Sequence, residues 1–201
     1  MEKYSPSIQR LISEFNSLPG IGPATAKNVA FHVLDMPQEK ADGLIDAIKT
    51  ARSSTCRCSI CQNFTDSDPC SVCTDAMRDK STVLVVESPK DVAIFERTHE
   101  YKGLYHVLHG VFDPLKNKSL EDTTISQLIN RLSQNSEINE VIIATNQNAE
   151  GNATALYISR LVSPSGIKVT RIASGLPMGS NIENADDITL MSALNGRVNL
   201  S

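Results

Sequence analysis

Four cysteines fall within sixteen residues as two pairs, Cys58-x2-Cys61 and Cys70-x2-Cys73, with eight residues between the pairs. Each pair can direct two sulfurs at one cation, and tetrahedral zinc prefers four such soft ligands at about 2.3 Å. The intervening stretch "QNFTDSDP" is too polar to build an apolar core, so a metal would supply the stability of this segment. With all four positions thiolate, no coordination site stays open, and the expected role is structural. The alternative is a set of ordinary reduced thiols. All five cysteines lie between positions 56 and 73, a distribution that favours a metal site over disulfides. Cys56 is surplus. It is either a free thiol or an alternative ligand to Cys58, and the free thiol is the reading preferred here.

On either side of this cluster the patterning differs. Residues 5–54 read as helical. Ser5 stands before Pro6 as a helix start, and Ile8, Leu11, Ile12 and Phe15 recur at i, i+3, i+4, i+7. After "LPGIGP" the period repeats with Ala26, Val29, Ala30 and Val33, and after "DMPQ" with Ala41, Leu44, Ile45 and Ile48. From Thr82 onward, short apolar runs alternate with helical ones. "TVLVVE" (82–87), "GLYHVL" (103–108), "EVIIAT" (140–145) and "IKVTRI" (167–172) predict strands, with helices near 90–99, 124–135 and 149–162. Thr124 and Gln127 have the spacing of a capping box. Strands separated by helices mean βαβ units and a parallel sheet covered on both faces. The tail "DITLMSALNGR" predicts one short helix stopped at Gly196. The fold class is therefore α/β in several parts: a helical hairpin domain over 1–54, a four-cysteine zinc knuckle over 55–78, a parallel α/β domain over 79–175 and a short helical tail over 176–201.

No run of about 18 apolar residues is present, as a membrane-spanning helix requires. The first ten residues, "MEKYSPSIQR", lack the basic and apolar regions of a secretory signal, so the expected location is the cytoplasm. The net charge is −4, unlike a free-standing tight nucleic-acid binder. Residues 1–60 hold seven Lys and Arg against six Asp and Glu, so the acidity lies in the rest of the chain. DNA binding by one chain should accordingly be modest.

Two further constellations could carry chemistry. In "LPGIGPATAKNVAFHVL" (18–34), Gly20 and Gly22 form a tight turn that lets backbone N–H groups approach a phosphate, with Lys27 and Arg10 able to reinforce it. The plainer reading is an αα-hairpin punctuated by glycine. At the carboxyl edge of the expected sheet, Glu87 ends one strand and "ATNQNAEG" follows another, which is the usual ligand crevice of an open α/β sheet. Asp91, three residues after Ser88, doubles as a helix cap. Glu150 sits in a helix's first turn, where its charge opposes the positive dipole end.

Taken in this order, the hairpin, the knuckle "CSICQNFTDSDPCSVC" and the stretches "VVESPKDVAIFERTHEYKGLYHVLHGVFDPL", "EVIIATNQNAEGNATALYISRLV" and "VTRIASGLPMGSNIENADDITL" resemble the RecR family of recombination mediators over essentially the whole chain. The resemblance implies a Toprim domain. Catalytic Toprim proteins hold magnesium with a strand-end glutamate and an Asp-x-Asp; here Glu87 matches the first and Asn146-Gln147-Asn148 the second. Neutral amides lack the charge that magnesium requires. One structural zinc per chain is thus the expected cofactor, with Glu87 beside Glu150 or Asp91 offering at most a loosely held ion.

The resemblance further implies a DNA-encircling clamp, a homotetramer ring that is not an enzyme. It would act with RecO and RecF to help RecA displace single-strand-binding protein on gapped or resected DNA, in the bacterial cytoplasm and at the nucleoid during repair. Glu87, Asp91, Asn146, Asn148 and Glu150 would form the partner-binding Toprim face. The alternative is a magnesium-dependent nuclease, primase or topoisomerase-like enzyme. In one respect the chain departs from the family. Many RecR hairpins carry Lys directly after the glycine turn and Arg four residues later, whereas Ala24 and Asn28 stand there, with Lys27 offset by one.

Overall fold

In the computed structural model, residues 4–112 and 120–199 are described. The chain divides into two units, Met1–Thr55 and Cys56–Ser201.

The first unit holds α1 (Pro6–Asn16), α2 (Pro23–Asp35) and α3 (Gln38–Ser54). Proline opens both α1 and α2, where its missing N–H leaves no bond unmade. Ser5 occupies the N-cap position, but its hydroxyl pairs with Ser7 at 3.1 Å and does not cap the helix. Ala26 and Ala30 are fully buried, one turn apart on α2, and their small size lets α1 pack close. The ring of Tyr4 meets Phe31 edge-on at 5.4 Å, and the Lys27 ammonium lies 5.4 Å from the centre of the Tyr4 ring. The expected α1 stripe of Ile8, Leu11, Ile12 and Phe15 is half-buried. The α3 stripe is not covered: Leu44, Ile45 and Ile48 are 41%, 49% and 58% exposed.

The second unit begins with a small antiparallel pair, β1 (Cys56–Arg57) and β2 (Phe64–Thr65), and a single turn, α4 (Ser71–Thr74). There follow β3 (Asp79–Val86), α5 (Pro89–Thr98), β4 (Gly103–Val107), α6 (Ile125–Gln134), β5 (Glu140–Ala144), α7 (Ala149–Val162), β6 (Lys168–Arg171) and α8 (Asp187–Asn195). The four long strands form one parallel sheet in the order β4-β3-β5-β6. Alternation along β3 divides the core. Val83 and Val85 face a cluster with Leu128 and Leu132 of α6 and Ile158 and Val162 of α7. Leu84 and Val86 face Val92 and Phe95 of α5 on the other side. Each such buried side chain stabilises the fold by roughly 1.5–3 kcal/mol, and a one-residue slip would exchange the two faces.

At the start of α6 the expected capping box does not form. Thr124 is the N-cap residue but makes no side-chain cap bond. Its buried hydroxyl donates instead to the Val107 carbonyl at 2.6 Å, and Gln127 accepts from Ser126. The last carbonyl of a buried strand needs a donor more than a helix start does, because that start can still find water.

The cysteine-bearing segment is hydrogen-bonded to β4, the edge strand. Val107 N–H donates to the Cys61 carbonyl at 2.9 Å. His109 Nε2 pairs with the Gln62 carbonyl at 2.6 Å, and the His109 and Phe64 rings lie 5.2 Å apart. Below it, the Arg78 guanidinium forks onto Glu96 at 2.8 and 2.5 Å, and the Tyr105 hydroxyl donates to the same carboxylate at 2.6 Å.

Candidate functional site

The four paired cysteines converge. Cys58, Cys61 and Cys70 are buried, Cys73 is half-buried, and all four sulfurs lie within 4.8 Å of one another. Sulfur separations are 3.9 Å for Cys58–Cys73 and 3.6 Å for Cys61–Cys70. A tetrahedron with zinc–sulfur bonds of 2.3 Å has edges of about 3.8 Å, so the cage already has the size of a zinc site. Local backbone geometry sets it: Gln62, at φ +64°, turns the chain so that its N–H meets the Cys58 carbonyl at 2.9 Å, and Cys70 N–H points at the Cys58 sulfur at 3.4 Å.

The same crowding makes four thiols awkward neighbours without a cation. A hydrogen bond from Cys73 draws the Cys61 thiol down to about 5, whereas burial pushes Cys70 up to about 11 and the bond to Cys61 pushes Cys73 upward. Cys61 gives up its proton easily whereas Cys70 and Cys73 hold theirs, a conflict that a divalent ion bound by the cage would remove. The donor set fits zinc. Cys56 takes no part; its exposed thiol donates to the Thr65 carbonyl at 3.4 Å across the β1–β2 pair.

The carboxyl end of the sheet brings Glu87 and Asn146 together. The backbone N–H of Asn146 donates to Glu87 Oε1 at 2.6 Å, and its side-chain Nδ2 donates to Oε2 at 2.7 Å. A carboxylate only accepts, so the Asn146 amide presents its donor here and keeps no lone pair directed at Glu87. This pair satisfies itself without a cation. Arg171 Nη2 donates to the Asn146 carbonyl at 3.2 Å. Asn148 serves as a helix cap, accepting from Gly151 N–H at 2.8 Å at the start of α7. Gly151 is required there, since a Cβ would stand 2.1 Å from the Asn146 carbonyl oxygen. Asp91 accepts from the Ser88 N–H at 2.8 Å and from its hydroxyl at 3.1 Å, which is its expected role at the start of α5. Asp91 and Asn146 also line one cleft of about 210 Å³ with Ile94, Phe95 and Ile172. Glu150 lies in the first turn of α7.

In the hairpin, Gly20 adopts φ +81°, which favours glycine. Gly22 is the N-cap residue of α2, and a Cβ on either glycine would meet open space. Arg10, Ala24 and Asn28 are exposed and Lys27 is half-buried.

Two residues emerge that sequence reasoning passed over. Arg131 and His106 are largely enclosed, and each has a buried nitrogen without a hydrogen-bond partner. The single hint for Arg131 was a cation one residue before Leu132, at the border of the apolar face of α6. His106 sat unmarked inside a strand pattern.

A helical hairpin, a four-thiolate knuckle and a parallel sheet with a strand-end glutamate define a zinc-bearing protein of the Toprim class, and a Toprim domain model matches residues 81–173. The remaining segments match models for the RecR helix-hairpin-helix (8–52), the RecR four-cysteine zinc finger domain (55–75) and the RecR C-terminal region (175–198). The chain belongs to the RecR family of recombination proteins. It is 50% identical to the recombination protein RecR of Heliobacterium modesticaldum over 98% of both chains. With that of Levilactobacillus brevis it shares 50% over 98% of this chain and the whole of the relative, and with that of Lacticaseibacillus casei 49% over the same shares. Zinc is the cofactor that the family and the cysteine cage support together. No helix among the described residues is long and apolar enough to cross a membrane.

Proposed function

We propose that this protein is a non-catalytic mediator of recombinational repair: an oligomeric clamp around DNA that works with RecO and RecF to load RecA onto gapped or resected single strands. The observation that carries the reading is the Glu87–Asn146 pair. Phosphoryl transfer at a Toprim centre needs clustered carboxylates to grip divalent ions, and here the second partner is an amide that donates to the first. Within the family, that arrangement suits a surface that binds and does not cut.

The roles divide along the chain. Residues 1–54 contact DNA through the turn at Gly20 and Gly22, with Arg10 and Lys27 adding charge. Residues 55–78 are the zinc knuckle, residues 79–175 the Toprim domain, and residues 176–201 an oligomerising segment. Uncovered apolar side chains support assembly: Leu44, Ile45 and Ile48 on α3, and Ile188, Met191 and Leu194 on α8, the last three 78%, 64% and 67% exposed. Patches of this kind mark interaction surfaces, and a homotetramer ring would cover them. Encirclement also suits an acidic chain, because topology can substitute for many phosphate contacts. The Toprim face at Glu87, Asp91, Asn146, Asn148 and Glu150 is then the surface for RecO.

The test has two arms. Pure protein is incubated with labelled gapped DNA and magnesium or manganese, where no cleavage or synthesis is expected; products that disappear in Glu87→Ala would establish the magnesium-dependent enzyme instead. In the second arm, Glu87→Lys should reduce RecO recovery in a pull-down while the circular dichroism spectrum stays unchanged. Undiminished recovery would remove the Toprim face from the partner surface.

A further inference from the structure

Helix α6 carries a half-buried cation to which the functional reading gives no task. Arg131 stands on α6 beside Leu132, a core residue. Its Nη1 donates to the Tyr105 carbonyl at 2.6 Å, and its Nη2 is buried without a hydrogen-bond partner. A guanidinium enclosed in this way is costly unless negative charge lies close.

The negative charge at hand is the cysteine cage. Arg131 and Cys73 line one cleft of about 480 Å³ with Ser59, Ile60 and Leu104. Burial weakens the hold of Arg131 on its proton, and Cys73, Cys61 and Cys58 are the first groups that counter it. A zinc ion held by four thiolates carries a net charge of about −2. Three of those four sulfurs belong to buried residues, and the cage is tied to β4 through the Cys61 carbonyl and Val107 N–H. A largely buried anionic centre and a half-buried, half-satisfied cation thus border one cleft.

We propose that Arg131 is the outer charge partner of the tetrathiolate centre, a positioning residue supplied by α6 that slows metal release and ties the knuckle to the Toprim domain. The proposal rests on Cys58, Cys61, Cys70 and Cys73 being zinc ligands. Exposed Lys80, in the same cleft, is the internal control: water screens its charge, so it contributes little.

The experiment uses the full chain, loaded with zinc for a chelator challenge and with cobalt(II) for absorption spectra of the thiolate-to-metal bands. Outer-shell partners typically alter metal affinity by about 10–100-fold, so Arg131→Met should accelerate zinc loss within that range and shift the cobalt bands. Arg131→Lys keeps the charge and should stay close to the parent on both counts, and Lys80→Met should match the parent. Parent-like release and bands in Arg131→Met overturn the proposal. Equal impairment in Arg131→Lys and Arg131→Met overturns it as well, since packing and not charge would then be at work. Should Arg131→Met not fold, Arg131→Lys decides: parent-like release supports the charge role and fast release refutes it. A parent protein without thiolate bands would refute the ligand assignment itself, a result separable from any behaviour of the Arg131 variants.

Discussion

Asn146 grips both carboxylate oxygens of Glu87, one through its backbone N–H and one through its side-chain amide, at 2.6 and 2.7 Å. Two residues 59 positions apart thereby close the carboxyl edge of the sheet with a neutral group opposite a charged one. Replacing Asn146 by Asp puts two carboxylates at that distance. Like charges so close force one to take a proton or both to share a cation. Asn146→Asp should melt at a lower temperature than the parent in chelator, and millimolar manganese should raise its melting temperature more than the parent's. A variant whose melting curve ignores manganese would show that this edge cannot be turned back into a cation site by charge alone.

Gly151→Ala tests what holds Asn146 in place. The added methyl would meet a backbone oxygen at 2.1 Å, so the 146–151 turn must open. The expected loss is roughly 2–4 kcal/mol in denaturant titration, with Glu87 and Asn146 drawn apart. A loss under about 0.5 kcal/mol would mean the turn is softer than its packing implies.

Among the cysteines, Cys58→Ser, Cys61→Ser, Cys70→Ser and Cys73→Ser should each lose bound zinc. With it goes a stabilisation on the order of 10 kcal/mol in comparable zinc modules, so solubility should fall too. Cys56→Ser should keep one zinc per chain, because its thiol already has a partner outside the cage. Metal analysis by mass spectrometry reads both outcomes, and full zinc in any of the first four variants would break the ligand assignment.

His106 makes stability depend on pH. Burial, with smaller contributions from Arg131 and His109, draws its imidazole from 6.5 down to about 4, so the folded state resists a proton that the unfolded chain accepts. Stability from this group is complete above about pH 6.5 and declines as the pH falls toward 4. The whole effect is on the order of 3 kcal/mol. His106→Phe should flatten this part of the profile, as urea titrations at about pH 7, 5.5 and 4.5 would reveal. Parallel profiles for variant and parent would place the acid sensitivity elsewhere.

Local chemistry in the chain was enough to announce much of this molecule. Paired cysteine spacing foretold the cage, because two thiols three residues apart on a tight turn face one point whatever surrounds them. Short apolar runs and period-3.6 runs foretold the strands and helices, and Ser88 with Asp91 foretold the start of α5, since such contacts span only a few residues. The tertiary structure decided which groups meet across long separations. Parallel register sets Val86 beside Ala144, and this alone carries Glu87 to Asn146. Thr124 gives its hydroxyl to Val107 and not to its own helix because β4 ends there. Arg131 shares a cleft with Cys73, which no pattern in α6 could foresee. Hydrophobic period is a property of neighbours along the chain, whereas the pairing of charges and donors depends on which strand ends the fold brings side by side.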